Sequence, residues 1–302
     1  MTVGPSPSVV WSPRYEVDIG AHVFPTTKYR RVRALLLERG DVSEGAFVEP
    51  EPVTGEDLAR VHTAEYLGKI AEGDFSEAEE RMLEVPFSDD LAEVMKLCCG
   101  GTLLAARLSL EGGACPHVGG GFHHAFPDHG EGFCLLNDVA VAAAALLSSG
   151  EVRRVAVVDL DVHQGNGTAA VFAGDPRVFT MSMHQQDNYP LFKPPSDLDV
   201  GLRNGMGDDA YLRLLRMHLP TVEAHEPDVV LYLAGADPYR RDQLGGLALT
   251  AEGLRERDRT VLHTFRRRGV PVAVLLAGGY ALDPRDTVAI HAATVRETLA
   301  AR

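Results

Sequence analysis

The stretch VAVVDLDVHQGNGT (155–168) begins with four consecutive apolar residues, Val155 to Val158, and ends in alternating polar side chains and glycines. An uninterrupted apolar, Val-rich run of that kind reads as a strand buried on both faces, which is the condition of a parallel sheet covered by helices. Runs of the same kind recur at Gly113–Val118, Val178–Ser182, Val229–Ala234 and Val272–Ala277. Between them, Asn137–Ser148, Asp208–His225 and Thr250–Arg268 are long enough and amphipathic or Ala/Leu-rich enough for helices. Thr250 is placed as an N-cap, with Glu252 in the first turn. Strands alternating with helices predict βαβ units and an α/β fold with a parallel sheet.

The first ninety residues read differently. They offer an early strand at Ser8–Trp11, a basic helix near Lys28–Arg39, and loops rich in Gly, Pro and acidic residues. No linker, repeat or low-complexity tract divides the 302 residues, so one domain (1–302) is expected, its N-terminal third covering the mouth of the sheet. The N-terminus lacks a basic region followed by an apolar stretch, so no secretory signal is expected, and no apolar run approaches the ~20 residues of a membrane span. Four cysteines, two of them the vicinal Cys98 and Cys99 in an expected buried helix, form no disulfide framework. A reducing, cytoplasmic setting follows as the expectation.

Charge is concentrated. The formal net charge is −14, and residues 38–93 hold 17 Asp/Glu against 4 Lys/Arg. Such a block repels phosphate backbones, so nucleic acid is excluded as the expected partner, and a cationic peptide or polyamine suits it better.

Ligands of open parallel sheets bind at the carboxyl ends of strands. His123 and His124 follow the strand ending at Val118, across Gly119-Gly120-Gly121; Asp161 and His163 follow Leu160; Asp237 follows Ala234; Tyr280 follows Ala277 across Gly278-Gly279. Asp159, Asp161 and His163 stand at i, i+2 and i+4, on one face of an extended segment. Asp161 and His163, with Asp237 from another strand, make an Asp-His-Asp set. Three protein ligands leave a position open for water or substrate, as at a catalytic zinc, while ligand type alone also leaves Fe(II) and Mn(II) open. Beside it, His123 and His124 read as acid/base machinery, with Asp159 to orient His123 and Asn166 to orient His124. An Asn partner adds no negative charge, so His124 is the one held neutral and suited to act as base. Tyr280 is placed to donate to the oxyanion of a tetrahedral intermediate. The chemistry this pattern points to is metal-assisted hydrolysis.

The runs GGGFHHAFPDHGEGFCLLNDVAVA (119–142), VVDLDVHQGNGT (157–168), YLAGADPYRRDQLGGL (232–247) and LLAGGY (275–280) resemble the zinc-dependent histone deacetylases. SPRY at 12–15 and HTAEYL at 62–67 extend the likeness over nearly the whole chain, and HQGNG at 163–167 with GGT at 100–102 resembles the class IV branch. The resemblance implies the arginase/deacetylase fold, with an eight-stranded, predominantly parallel sheet. It implies zinc on Asp161, His163 and Asp237, His123 and His124 as the catalytic pair, and Tyr280 as oxyanion donor. Gly132 and Phe133 would line an acyl-lysine tunnel, with Tyr189 or Phe192 on the opposite wall. A structural K+ would take side-chain oxygens of Asp159 and Ser182 and the carbonyls of Asp161, His163 and Met183. Asn166 stands where class I members carry Asp, which weakens any charge relay through His124.

The implied activity is removal of acetyl or longer acyl groups from lysine. The substrate would be an acyl-lysine peptide or an acylated small amine, the latter if the chain is an acetylpolyamine-type amidohydrolase on the same fold. An arginase-type ureohydrolase would need further Asp ligands near a DxHxD-like run, and Gly165 occupies the position two beyond His163. A non-catalytic acyl-lysine binding module would not need Tyr280 and the His pair intact.

Overall fold

The computed structural model describes residues 9–302. Eight strands form one sheet: β1 (Val9–Val10), β2 (Phe47–Val48), β3 (Ala114–His117), β4 (Val155–Asp159), β5 (Val178–Gln185), β6 (Leu198–Leu202), β7 (Val229–Leu233) and β8 (Val272–Leu275). Their order is β2-β1-β3-β8-β7-β4-β5-β6, and every pairing is parallel. Among the described residues ten α-helices accompany them: α1 (Lys28–Glu38), α2 (Gly55–Ala59), α3 (Ala64–Glu72), α4 (Glu77–Leu83), α5 (Asp89–Gly112), α6 (Asp138–Ser149), α7 (Asn166–Val171), α8 (Asp208–Ala224), α9 (Ala251–Arg266) and α10 (Pro284–Ala300).

The continuous apolar strands are explained by a core on each face. Val155, Val157, Val229, Leu231 and Leu275 join one hydrophobic cluster with residues of α5 and α6; Ala156, Val158, Val230, Tyr232 and Val274 join a second with residues of α8 and α9. The period-2 side-chain alternation of a strand sends neighbours to opposite cores, so neither position can be polar. Burying each Val or Leu contributes roughly 1.5–3 kcal/mol, enough to fix the register of the central strands. Thr250 caps α9 through the Gly253 N–H, as expected, and Asn137 caps α6 through the Ala140 N–H.

One expectation is adjusted, one falls partly outside the described residues, and one strand went unread. The N-terminal third does more than cover the mouth, because β1 and β2 extend the sheet at one edge and α1 packs on α10. The expected first strand begins at Ser8, which lies outside the described residues, as does most of the N-terminal stretch read for a signal. At the opposite edge, β6 (LDVGL) went unread because only alternate residues are buried and a Gly interrupts it.

Candidate active site

The four strands β3, β8, β7 and β4 are consecutive in the sheet, and the loops leaving their carboxyl ends carry the predicted reactive residues. After β3 the chain turns through Gly120 and Gly121, both at positive φ. A Cβ on Gly121 would lie 2.6 Å from the Ala277 backbone, so only glycine permits this approach of the loops after β3 and β8. Asp138, in the first turn of α6, ties the loop down. Its carboxylate accepts the N–H groups of Gly121 (3.0 Å) and Phe122 (2.7 Å) and the hydroxyl of Thr102. The sequence reading missed this anchor, whose only signal was an acidic residue at a helix N-terminus.

The next two residues are His123 and His124, both buried. His123 Nδ1 lies 2.6 Å from Asp159 Oδ2, and His124 Nδ1 lies 2.6 Å from Asn166 Oδ1, so each ring has the expected partner. Their electrostatics diverge. Burial would depress the His123 imidazole, but Asp159, with help from Asp161, raises it to about 9. His124 is held well below the ordinary range by burial, and the neighbouring His123 and His163 push the same way.

Asp161, His163 and Asp237 bring one ligand atom each within 4.8 Å of one another, and all three residues are buried. Asp161 Oδ2 accepts the Gly278 N–H at 2.8 Å, and Asp237 Oδ1 accepts the Val162 N–H at 2.9 Å, which aims both carboxylates inward. Asp237 Oδ2 is buried with no hydrogen-bond partner among the described residues. Burial and the facing Asp161 raise the Asp237 carboxyl to about 7, a repulsion that a divalent cation between them would relieve. A Cβ on Gly278 would fall 2.0 Å from Asp237 Oδ2, so the GGY turn closes over the cradle. Two oxygens and one imidazole nitrogen in this arrangement fit a catalytic divalent metal.

These groups open on one cavity of about 240 Å³. Its walls include Gly132, Phe133, Tyr189 and Tyr280, together with the buried Phe24, Tyr29, Gly120 and Gly121. Gly132 and Phe133 form a tight turn at φ 54° and 70°, closed by paired hydrogen bonds between Glu131 and Cys134. The carbonyls of Met82 and Leu83, at the end of α4, accept the two turn N–H groups. Tyr280 is fixed through its own N–H, which donates to Asp242 Oδ2 at 2.7 Å, and burial with Asp161 and Asp237 nearby keeps its phenol protonated.

Of the two candidates for the opposite wall, Tyr189 lines the cavity; Phe192 is 72% exposed at the tip of the same loop. The chain turns outward after Tyr189, so Phe192 is not a wall residue here. Of the acidic residues in the 38–93 block, Glu84 lines the cavity, while Asp89 and Asp90 are exposed at the start of α5 and do not. His22 lies close by, with its ring centroid 4.8 Å from that of Phe133. Lys28, Cys134 and Asn188 also line the cavity and went unread.

Asp159 and Ser182 are register partners on β4 and β5. Among the described residues no backbone N–H donates to the carbonyls of Asp161 and His163 in the turn that follows β4.

The sheet order and the loops at its carboxyl edge define an arginase/deacetylase-type fold. A solved structure described as an HDAC homolog complexed with SAHA has the same fold, with a TM-score of 0.83 at 23% identity over 98% of this chain and 84% of that one. The histone deacetylase domain model matches residues 22–296, and the chain belongs to that family. Histone deacetylase 2 of Arabidopsis thaliana is 31% identical over 90% of this chain and 74% of its own length. An uncharacterized protein of Picosynechococcus is 42% identical over 94% of this chain and 95% of its own. The activity of the family is deacetylase or amidohydrolase chemistry.

Proposed function

We propose that the chain is a zinc-dependent lysine deacylase of the class IV-like branch, acting in the cytoplasm on acyl-lysine peptides or acylated small amines. The observation that carries this reading is the convergence of the His123–His124 pair, Tyr280 and the Asp161–His163–Asp237 cradle on one apolar-walled cavity. Zn(II) on that cradle, or Fe(II) with the same donors, would supply Lewis acidity toward the acyl carbonyl and a lowered pKa for the attacking water.

The protein's own groups do the rest. His124, neutral and with Nδ1 engaged by Asn166, takes a proton from the water. Tyr280 donates to the oxyanion as the carbonyl becomes tetrahedral. The C–N bond breaks with proton delivery to the lysine amine, from His123 or from His124 returning what it took. Phe133 and Tyr189 flank the lysine methylenes and exclude water. A structural K+ on Asp159, Ser182 and the carbonyls of Asp161, His163 and Met183 would brace the turn after β4. The unengaged carbonyls of Asp161 and His163 support that assignment.

Because Phe24 and Tyr29 add apolar lining to the cavity beside Phe133 and Tyr280, we assign it acyl chains longer than acetyl. The test compares zinc-loaded wild type with Tyr280→Phe on acetyl- and myristoyl-lysine peptides, with and without chelator. Chelator-sensitive release that Tyr280→Phe abolishes is expected; its absence in wild type would sink the deacylase reading. Acetyl turnover equal to or above myristoyl would sink the chain-length preference.

A further inference from the structure

Asn166 poses a problem that the proposed mechanism leaves open. A neutral imidazole serves as base only if the lone pair is on the nitrogen facing the substrate, which requires the proton of His124 to sit on Nδ1. An Asp at position 166 would enforce this, because a carboxylate only accepts. An Asn does not, because its amide presents either an acceptor oxygen or a donor NH2 depending on which way it is turned.

The structure supplies the missing constraint from 35 residues away. Glu131 Oε1 lies 2.9 Å from Asn166 Nδ2 and 2.8 Å from the Tyr189 hydroxyl. Its other oxygen faces His129 Nε2 at 3.6 Å. Burial would raise this carboxyl, but the facing His129 and hydrogen bonds from Tyr189 and Asn166 lower it, so it is ionised at neutral pH and only accepts. Asn166 must therefore turn its NH2 toward Glu131 and its carbonyl toward His124. His124 Nδ1, 2.6 Å from that carbonyl, must then carry the proton. The Glu131–Cys134 pairing and the Gly132-Phe133 turn hold the backbone that aims Glu131 at Asn166.

The geometry points to Glu131 as a positioning residue that locks the Asn166 amide and, through it, the base-competent tautomer of His124. The relay thus ends in a carboxylate after all, one hydrogen bond further out. The inference rests on the reading of His124 as base, but the lock itself is measurable without turnover.

The lock is tested in the full chain, loaded with Zn(II) and labelled with ¹⁵N-histidine, with the His124 ring assigned by comparison with His124→Ala. Wild type is expected to show His124 protonated on Nδ1 only. Glu131→Ala is expected to populate the Nε2–H form and to lower kcat about tenfold with KM nearly unchanged. Glu131→Gln keeps the shape but can donate or accept, so it should fall between the two, and it serves if the alanine variant does not fold.

The decisive comparison is made in an Asn166→Asp background. The carboxylate introduced there accepts without help and is repelled by Glu131, so removing Glu131 from that background should leave the tautomer unchanged and kcat equal or higher. An unchanged tautomer in Glu131→Ala overturns the lock, as does an equal loss of kcat in both backgrounds, which would mark Glu131 as a tunnel-wall support. If wild type shows no turnover at all, the deacylase reading fails, while the tautomer comparison still decides the lock.

Discussion

Lys28 Nζ donates to the carbonyl of Ala277 across 2.6 Å, joining α1 to the loop after β8 in the lining of the catalytic cavity. The ammonium is buried and lies within 6 Å of the rings of Phe24, Tyr29 and Tyr280. Burial lowers its pKa from 10.5 to about 8, although Asp237, Asp161 and Asp242 pull it upward. Between pH 8 and 10.5 the unfolded chain holds a proton that the native state has released, so stability rises with pH in that window. Relative to a Lys28→Met variant, wild type should gain about 1.4 kcal/mol per pH unit there and change little below about pH 8. Paired denaturant titrations from about pH 7 to 10.5 measure the difference, and a flat difference would show that Lys28 keeps its ordinary pKa.

On the acid side the corresponding group is His62, which joins α3 to the loop before α6. Its Nδ1 donates to the Phe126 carbonyl at 3.0 Å, and its Nε2 accepts the Asn137 N–H at 3.2 Å, an arrangement open only to the neutral ring. Burial lowers its pKa to about 4, against partial opposition from the backbone carbonyls of Phe126 and Pro127. The unfolded chain takes up a proton below about 6.5 that the native state refuses until about 4. Wild type should therefore lose up to about 1.4 kcal/mol per pH unit relative to His62→Gln as pH falls through that range. Unfolding curves at about pH 7, 6, 5 and 4.5 for the two proteins provide the check.

The central strands were legible because VAVVD, VVLYL and VAVL serve two cores at once, with no charged residue before the Asp159 that ends the first of them. The edge strands were not, since β2 is two half-buried residues and β6 shows a side to solvent. Chemistry at strand ends could be read because Asp and His side chains in a glycine-rich turn have few structural reasons to be there. What escaped were the groups that position the chemistry from elsewhere. Lys28 reaches a carbonyl 249 residues away, and Asp138 and Glu131 act by accepting N–H or O–H groups whose direction no spacing encodes. Phe192 was misread as a wall because it stands three positions beyond Tyr189, in a loop whose path the family pattern does not fix.

Asp138 carries the next prediction. Three donors, from Thr102, Gly121 and Phe122, converge on its two oxygens. Asp138→Asn keeps the shape but offers one acceptor oxygen and sets an NH2 against a backbone N–H. The expected result is a loss of about 2–3 kcal/mol in stability. The loop that carries His123 and His124 loosens with it, so kcat should drop roughly tenfold or more while KM for the acyl peptide moves less. Calorimetry alongside steady-state kinetics separates the two effects, and a stable variant with wild-type kcat would remove Asp138 from the positioning machinery.

The acidic block gives the last prediction, and the structure narrows it from 17 acidic residues to one. Of Glu84, Asp89 and Asp90, only Glu84 reaches the cavity, brought there by the end of α4, whose carbonyls hold the Gly132-Phe133 turn. Burial and the nearby Glu131 raise the Glu84 carboxyl, with His22 and His163 pulling it down. It remains a local acid at the entrance, and the surrounding helices add their negative field to it. A cationic peptide should be steered toward the entrance, so kcat/KM on Arg-flanked acyl-lysine peptides should fall several-fold as NaCl rises from about 50 to 500 mM. Glu84→Gln should lower kcat/KM at low salt and flatten that dependence, while kcat at saturating peptide stays within about twofold. A neutral peptide series gives the control, since steering acts only on charge. Salt-insensitive kcat/KM with the basic peptides would return the whole block to the role of a solvated surface.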